Sequence, residues 1–309
     1  MSARFHQLAP DVTVIERGWL NCNQVVLASS TQNVLIDSGY GRGRHATDTL
    51  KFVDEALNGA PLHWLVNTHC HSDHMGGNRA LRVRHGCRVT IPFGEVKHVV
   101  PWTAQSCWSE QMDQYAEPFE FDDTMTAGDS FDAGGLHWQA HAAPGHDMDA
   151  LVFHAPDVRG LISGDALWRN GFGILFADVI GAGGGLEAAR ATLEAIGRLP
   201  IDWVIPGHGA PFVEVDAALA AAFARLRYFE EDGARMARNA IRACFTFTLL
   251  ERRTMPLDSL PDHLARVALF RDANRRFLGL TPEALADWLV AELLRAGVVE
   301  IRENKLCAT

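Results

Sequence analysis

The sequence predicts an α+β fold: an αββα sandwich, two sheets flanked by helices, followed by a smaller and mainly helical domain. Three observations carry that expectation. Short apolar and β-branched runs alternate with helical stretches over the first two thirds of the chain, and clusters of His and Asp fall where apolar runs end. The last ninety or so of the 309 residues carry helical patterning almost alone. The expected division is 1–215 for the sandwich and 216–309 for the helical domain.

Taken in order, strand-like runs fall at 13–15, 24–27, 34–36, 62–66, 88–91, 151–153 and 204–205, with helical stretches at 46–57 and 186–199. The glycine run 181–185 reads as a linker into the helix at Leu186, because no Lys-Ser/Thr follows to make it a phosphate cradle. Beyond it, 216–229, 234–250 and 260–270 read as helices. Thr281-Pro282-Glu283 opens another that Gly297 closes, with proline just inside the start and glycine just past the end. Residues 298–306 then alternate like a hairpin with its turn at Glu303-Asn304.

The chemistry concentrates in Thr68-His69-Cys70-His71-Ser72-Asp73-His74, directly after the run 62–66. Three imidazoles and a carboxylate so close together repel protons and leave polar groups unsatisfied unless a cation gathers them. Gly76-Gly77 permits a tight turn before a helix beginning at Asn78. Alternation along the loop turns Cys70 away from its neighbours, so it reads as a packing residue. Further along, His146 in Ala143-Pro144-Gly145-His146-Asp147, Asp165 after Leu161-Ile162-Ser163-Gly164, and His208 in Pro206-Gly207-His208-Gly209 each follow a turn or an apolar run.

The motif His69-x-His71-x-Asp73-His74, followed by His146, Asp165 and His208 in that order, resembles the metallo-β-lactamase superfamily, and the resemblance runs from about Val12 to Pro211. It implies two divalent metal ions, with zinc the default and iron or manganese compatible with the same ligands. His69, His71 and His146 would hold one and Asp73, His74 and His208 the other, with Asp165 bridging and Asp37 of Val34-Leu35-Ile36-Asp37-Ser38-Gly39 supporting them from behind. True β-lactamases of the superfamily generally lack the bridging carboxylate, whereas its thioesterases, lactonases and phosphodiesterases keep it. The implied function is a dinuclear hydrolase of the glyoxalase II-like branch, in which a metal-bridged hydroxide attacks a thioester, ester or lactone carbonyl. Asp73 and Asp165 would be its catalytic carboxylates. The alternative is a persulfide dioxygenase-like oxidoreductase using one iron on His71 or its neighbours with His146 and Asp165. β-Lactamase and nucleic-acid phosphodiesterase readings rank below both.

Composition bounds the partners. Residues 1–220 hold 14 Lys+Arg against 26 Asp+Glu, and residues 221–309 hold 14 against 12. A polyanion would meet an unfavourable field over the catalytic part, so a small-molecule substrate is expected rather than nucleic acid. No apolar stretch is long enough to span a membrane, and the N-terminal residues lack the apolar core of a secretion signal, which gives a cytoplasmic expectation. The six cysteines are dispersed without a CxxC pair and read as reduced thiols, none a metal ligand. Helices ending in a hairpin resemble a winged-helix appendage, here expected to be a packing or dimerisation module that also walls the pocket rather than a nucleic-acid binder.

For the substrate pocket two stretches stand out. An aromatic insertion between Pro92 and Asp123, with Trp102 and Trp108, is a candidate lid, and Trp168, Arg169, Phe172 and Phe176 follow the bridging carboxylate as candidate walls.

Overall fold

The computed structural model describes residues 3–103 and 109–309. Fifteen strands occur among them. A first sheet, in spatial order β1 to β7, comprises β1 (Arg4–Ala9), β2 (Val12–Glu16), β3 (Gln24–Leu27), β4 (Val34–Ile36), β5 (Trp64–Val66), β6 (Arg88–Pro92) and β7 (Asp123–Met125). A second, in order β12-β11-β10-β9-β8, comprises β8 (Ser130–Ala133), β9 (Leu136–Ala142), β10 (Leu151–Ala155), β11 (Gly160–Gly164) and β12 (Trp203–Pro206). A third pairs β13 (Thr254–Pro256), β15 (Lys305–Ala308) and β14 (Val299–Arg302).

Period-two burial builds the sandwich. Val34, Ile36, Trp64 and Val66 pack between the two sheets against Trp138, Phe153, Ile162 and Ile205. Their neighbours Leu35 and Leu65 face outward, onto Phe52 and Val53 of the helix Arg44–Ala56. Both faces of β4 and β5 are therefore buried, which is why these strands read as unbroken apolar runs. Each such Leu or Ile contributes about 1.5–3 kcal/mol of burial. On the other side, Val152, Leu161 and Val204 share one apolar cluster with Leu226, Ile241, Leu289 and Leu306 of the C-terminal elements.

Strand direction then positions the polar clusters. β4 and β5 run parallel with Ile36 opposite Val66, so the residues after them, Asp37 and Thr68, emerge on one edge. β11 and β12 are parallel with Gly164 opposite Pro206, which delivers Asp165 and His208 together. The antiparallel pair β9 and β10, with Ala142 opposite Leu151, carries the loop holding His146. Leu151 N donates to Thr68 O at 2.8 Å and ties the two edges together.

Most elements form as the pattern predicts, with three differences. The strands β1, β7, β8 and β9 have exposed positions and turn-rich flanks that weaken an apolar signal. The expected helix over 260–270 breaks at Val267, whose extended backbone ends Leu260–Arg266 and starts Ala268–Ala273. The C-terminal hairpin turns at Glu303 and Asn304, both at positive φ as a two-residue turn requires. It gains the short strand β13, whose proline hides it in the sequence. No helix among the described residues is long and apolar enough to cross a membrane.

Candidate metal centre

The loop after β5 and the three other loops meet at one buried cluster. His69, His71 and His146 bring one ligand atom each within 4.8 Å of one another, and Asp73, His74 and His208 form a second such group. Asp165 lies between them. Its Oδ2 is 3.3 Å from His146 Nε2 and 3.7 Å from His208 Nε2, while its Oδ1 is 3.5 Å from His74 Nε2. Asp73 Oδ2 is 3.1 Å from His208 Nε2.

Neighbouring groups fix the tautomers. Asp37, held at φ 59° just past β4, accepts from Thr68 N and Thr68 Oγ1, each at 2.8 Å, and from His74 Nδ1 at 2.8 Å. Because Thr68 Oγ1 spends its hydrogen on Asp37, it accepts from His69 Nδ1 at 3.0 Å. His146 Nδ1 donates to Ile174 O at 2.7 Å. In all three rings the Nδ1 hydrogen is committed outward and Nε2 is left as a lone pair facing the cluster. His69 Nε2 and His74 Nε2 are buried with no hydrogen-bond partner.

His71 is turned the other way. Its Nε2 faces Asp147 Oδ2 at 3.5 Å, and its Nδ1 meets His146 Nε2 at 2.8 Å. Two lone pairs facing at that distance repel unless a cation lies among them. A proton is a poor substitute, since burial pushes both His71 and His146 down to about 4 and depresses His69 well below its usual range.

Charge balance agrees with the geometry. Burial opposes ionisation of Asp165, yet His208, His74 and His146 outweigh it and hold the carboxyl well below the usual range. Burial opposes protonation of His74 too, but the carboxylates Asp37, Asp165 and Asp73 together raise it well above an ordinary imidazole. The donor set thus calls for positive charge inside it. Imidazole and carboxylate with a fixed outer shell fit divalent cations.

Close approach dictates two glycines. A Cβ on Gly207 would stand 2.1 Å from Asp165 Oδ1, and one on Gly173 would stand 2.4 Å from His146 Nδ1. Asn23 clamps the His208 turn, donating to Pro206 O at 2.9 Å and Gly209 O at 2.6 Å. Trp19 and Trp168 pack their rings 5.1 and 5.3 Å from that of His208, and Trp168 Nε1 donates to Asp165 Oδ1 at 3.1 Å.

A cavity of about 480 Å³ opens on the cluster, and the expected wall is only partly there. Trp168 and Phe176 line it. Arg169 does not: it turns outward to Glu214 at 2.7 Å. Phe172 is buried beside Phe229 rather than facing the cavity. Trp102 packs on Phe119 at 5.6 Å on the far side of the first sheet, so from the described part of the insertion only Met112 and Gln114 reach the cavity. Trp108 lies outside the described residues. Cys70 points into the outer core, as alternation requires. Cys22 does come near a proposed ligand, beside Asp37 and His74, but burial raises its thiol to about 11 and keeps it protonated. Sequence reasoning missed Trp19, Asn23 and Asp147; it expected the C-terminal appendage to wall the pocket, as the helix Gly233–Arg252 does, without naming the residues that do so. Only Asp147, adjacent to His146, carried a local signal.

Residues 17–208 match the family model of the metallo-beta-lactamase superfamily. The chain belongs to this superfamily. Within it, the chain is 28% identical over 165 residues to a hydroxyacylglutathione hydrolase of Hyphomonas neptunium, covering 52% of this chain and 55% of that one, so it spans about half the length of that relative. A hydroxyacylglutathione hydrolase of Chromohalobacter salexigens is 28% identical over 231 residues, 74% of this chain and 73% of its own. Among solved structures, a beta-lactamase domain protein from Burkholderia ambifaria superposes with a TM-score of 0.59 at 19% identity, over 99% of this chain and 94% of that one. That similarity extends the shared fold through the C-terminal helices.

Proposed function

We propose that this superfamily member is a dinuclear metal-dependent hydrolase of thioester, ester or lactone carbonyls. His69, His71 and His146 would hold one divalent ion and Asp73, His74 and His208 the other, with zinc the first choice for both. The observation that carries this reading is Asp165, which turns one oxygen to His146 and the other to His74, one member of each group. Bound there, the metal pair supplies an acidified water and polarises the carbonyl oxygen.

The chain's own groups do the rest. Asp73 Oδ2 orients the attacking water, and Trp168 Nε1 fixes Asp165. Asp37 holds His74, while Asp147 holds His71. Trp19, Trp168, Phe176 and Phe247 exclude bulk water around the carbonyl. No protein nucleophile is needed: Cys70 faces the core, and Ser72 Oγ donates to Gln114 Oε1 at 2.5 Å. The relatives named hydroxyacylglutathione hydrolase support a thioester as the first substrate class to try.

The test is turnover of a thioester, ester and lactone panel by the protein as purified, after chelation, and after zinc is restored. Hydrolysis of at least one class, lost on chelation and regained with zinc, is expected. Turnover that persists in metal-free protein would refute the reading, as would a metal-loaded protein inert to every class.

A further inference from the structure

The helix Gly233–Arg252 presents Asn239, Arg242, Ala243, Thr246, Phe247 and Leu250 to the cavity, a stripe at helical spacing. Phe247 marks the metal end, its ring 6.2 Å from that of His208. At about 1.5 Å per residue, Arg242 and Asn239 stand roughly 7.5 and 12 Å further along the helix. There Arg225, from the facing helix Val215–Glu231, donates through Nη2 to Asn239 Oδ1 at 3.1 Å.

Arg225, like the buried Arg17, has a guanidinium nitrogen without a hydrogen-bond partner. Its guanidinium lies 5.4 Å from the ring centres of both Phe172 and Phe229, and its Nε is buried with no hydrogen-bond partner. Neither Arg225 nor Arg242 meets a carboxylate among the described residues, whereas Arg169, Arg190, Arg235 and Arg252 all do. The same three side chains, Arg225, Asn239 and Arg242, also wall an outer hollow. Its one carboxylate, Glu292, is engaged by Arg295. Burial, with Arg242 alongside, lowers Arg225 to about 10, which still leaves it cationic at neutral pH. A partly buried guanidinium without a counter-ion is costly unless an anion arrives. The rest of the cavity is lined mostly by apolar side chains, Met112, Ile174, Phe176 and Leu250 among them, with Thr246 and Gln114 as polar exceptions.

We propose that Arg225, Asn239 and Arg242 form an anion-binding subsite, and that the substrate carries a carboxylate or similar anion roughly 7–12 Å from the carbonyl that is cut. The intervening apolar spacer would be roughly six to ten bonds long, at the rise of an extended chain. The word substrate rests on the hydrolase reading above; the anion subsite does not.

The test pairs thioacetates of ω-mercaptocarboxylic acids of increasing length with the matching carboxamides. The wild type is expected to favour the carboxylate by about ten- to hundredfold in KM, with an optimum spacer length. Arg225→Met raises the carboxylate KM toward that of the carboxamide, and Arg242→Gln, an exposed change that leaves the core intact, does so in part. Equal KM values in the wild type overturn the proposal, and so does a preference surviving in both variants. Binding of 1-octanesulfonate against 1-octanol, followed by the fluorescence of Trp19 and Trp168, reads the subsite without turnover. Tighter sulfonate binding that Arg225→Met abolishes supports the subsite even if no thioester, ester or lactone is hydrolysed, an outcome that would remove the hydrolase reading alone. No sulfonate preference in an active enzyme overturns the subsite alone.

Discussion

The two ends of the reaction cavity are built on different principles. At the metal end, the loops after two parallel strand pairs and a hairpin loop converge, and Thr68, Asp37 and Ile174 fix the outward nitrogens of His69, His74 and His146, while Nε2 of His69 and of His74 is left without a partner. At the far end, two helices supply side chains that leave guanidinium groups without a carboxylate. A site that holds cations needs rigid lone pairs, whereas a site that binds the far end of a substrate needs charge and apolar surface. On the proposed reading, chemistry and specificity would be separated along one cavity.

That contrast can be broken most severely at Asp165. If its carboxylate joins the two halves of the cluster, Asp165→Ala should lower kcat/KM by about a hundredfold to a thousandfold, with metal lost in parallel. Activity near wild type against the whole panel would remove Asp165 from the site. A smaller effect is expected one layer out. Asp37→Ala frees the His74 ring and should weaken metal affinity by about ten- to hundredfold, measured by competition with a chromogenic chelator. Unchanged affinity would mean that Asp37 serves only the loop through Thr68.

The smallest effect sharpens the other end. Arg169 is half exposed on Glu214 and off the cavity, so Arg169→Ala should leave KM within twofold and cost no more than about 0.5–1 kcal/mol in denaturant unfolding. A KM change comparable to that of Arg225→Met would show that Arg169 swings inward.

What the sequence made legible follows the same division. Metal-type residues sit at strand ends within short motifs, so His69, His71, Asp73, His74, His146, Asp165 and His208 could be named, and the structure gathers them. Asp37 was legible for the same reason, standing just after β4. The cavity wall was legible only in part, through Trp168 and Phe176. Trp168 and Arg169 are adjacent in sequence, yet one faces Asp165 and the other faces solvent, a matter of backbone direction that composition does not encode. Trp19, Arg225 and Asn239 come from segments more than 200 residues apart at their extremes, joined only by the packing of the C-terminal helices on the second sheet. Proximity in the chain to a ligand is a weak guide to the pocket, because tertiary contacts choose which neighbours turn inward.

If both halves of the cluster bind metal, elemental analysis of the protein purified without added metal, combined with its accurate concentration, will show it. About two divalent ions per chain are expected, zinc foremost, falling together in Asp165→Ala. A single iron per chain with the second group empty would contradict it and move the chemistry from hydrolysis to oxygen transfer.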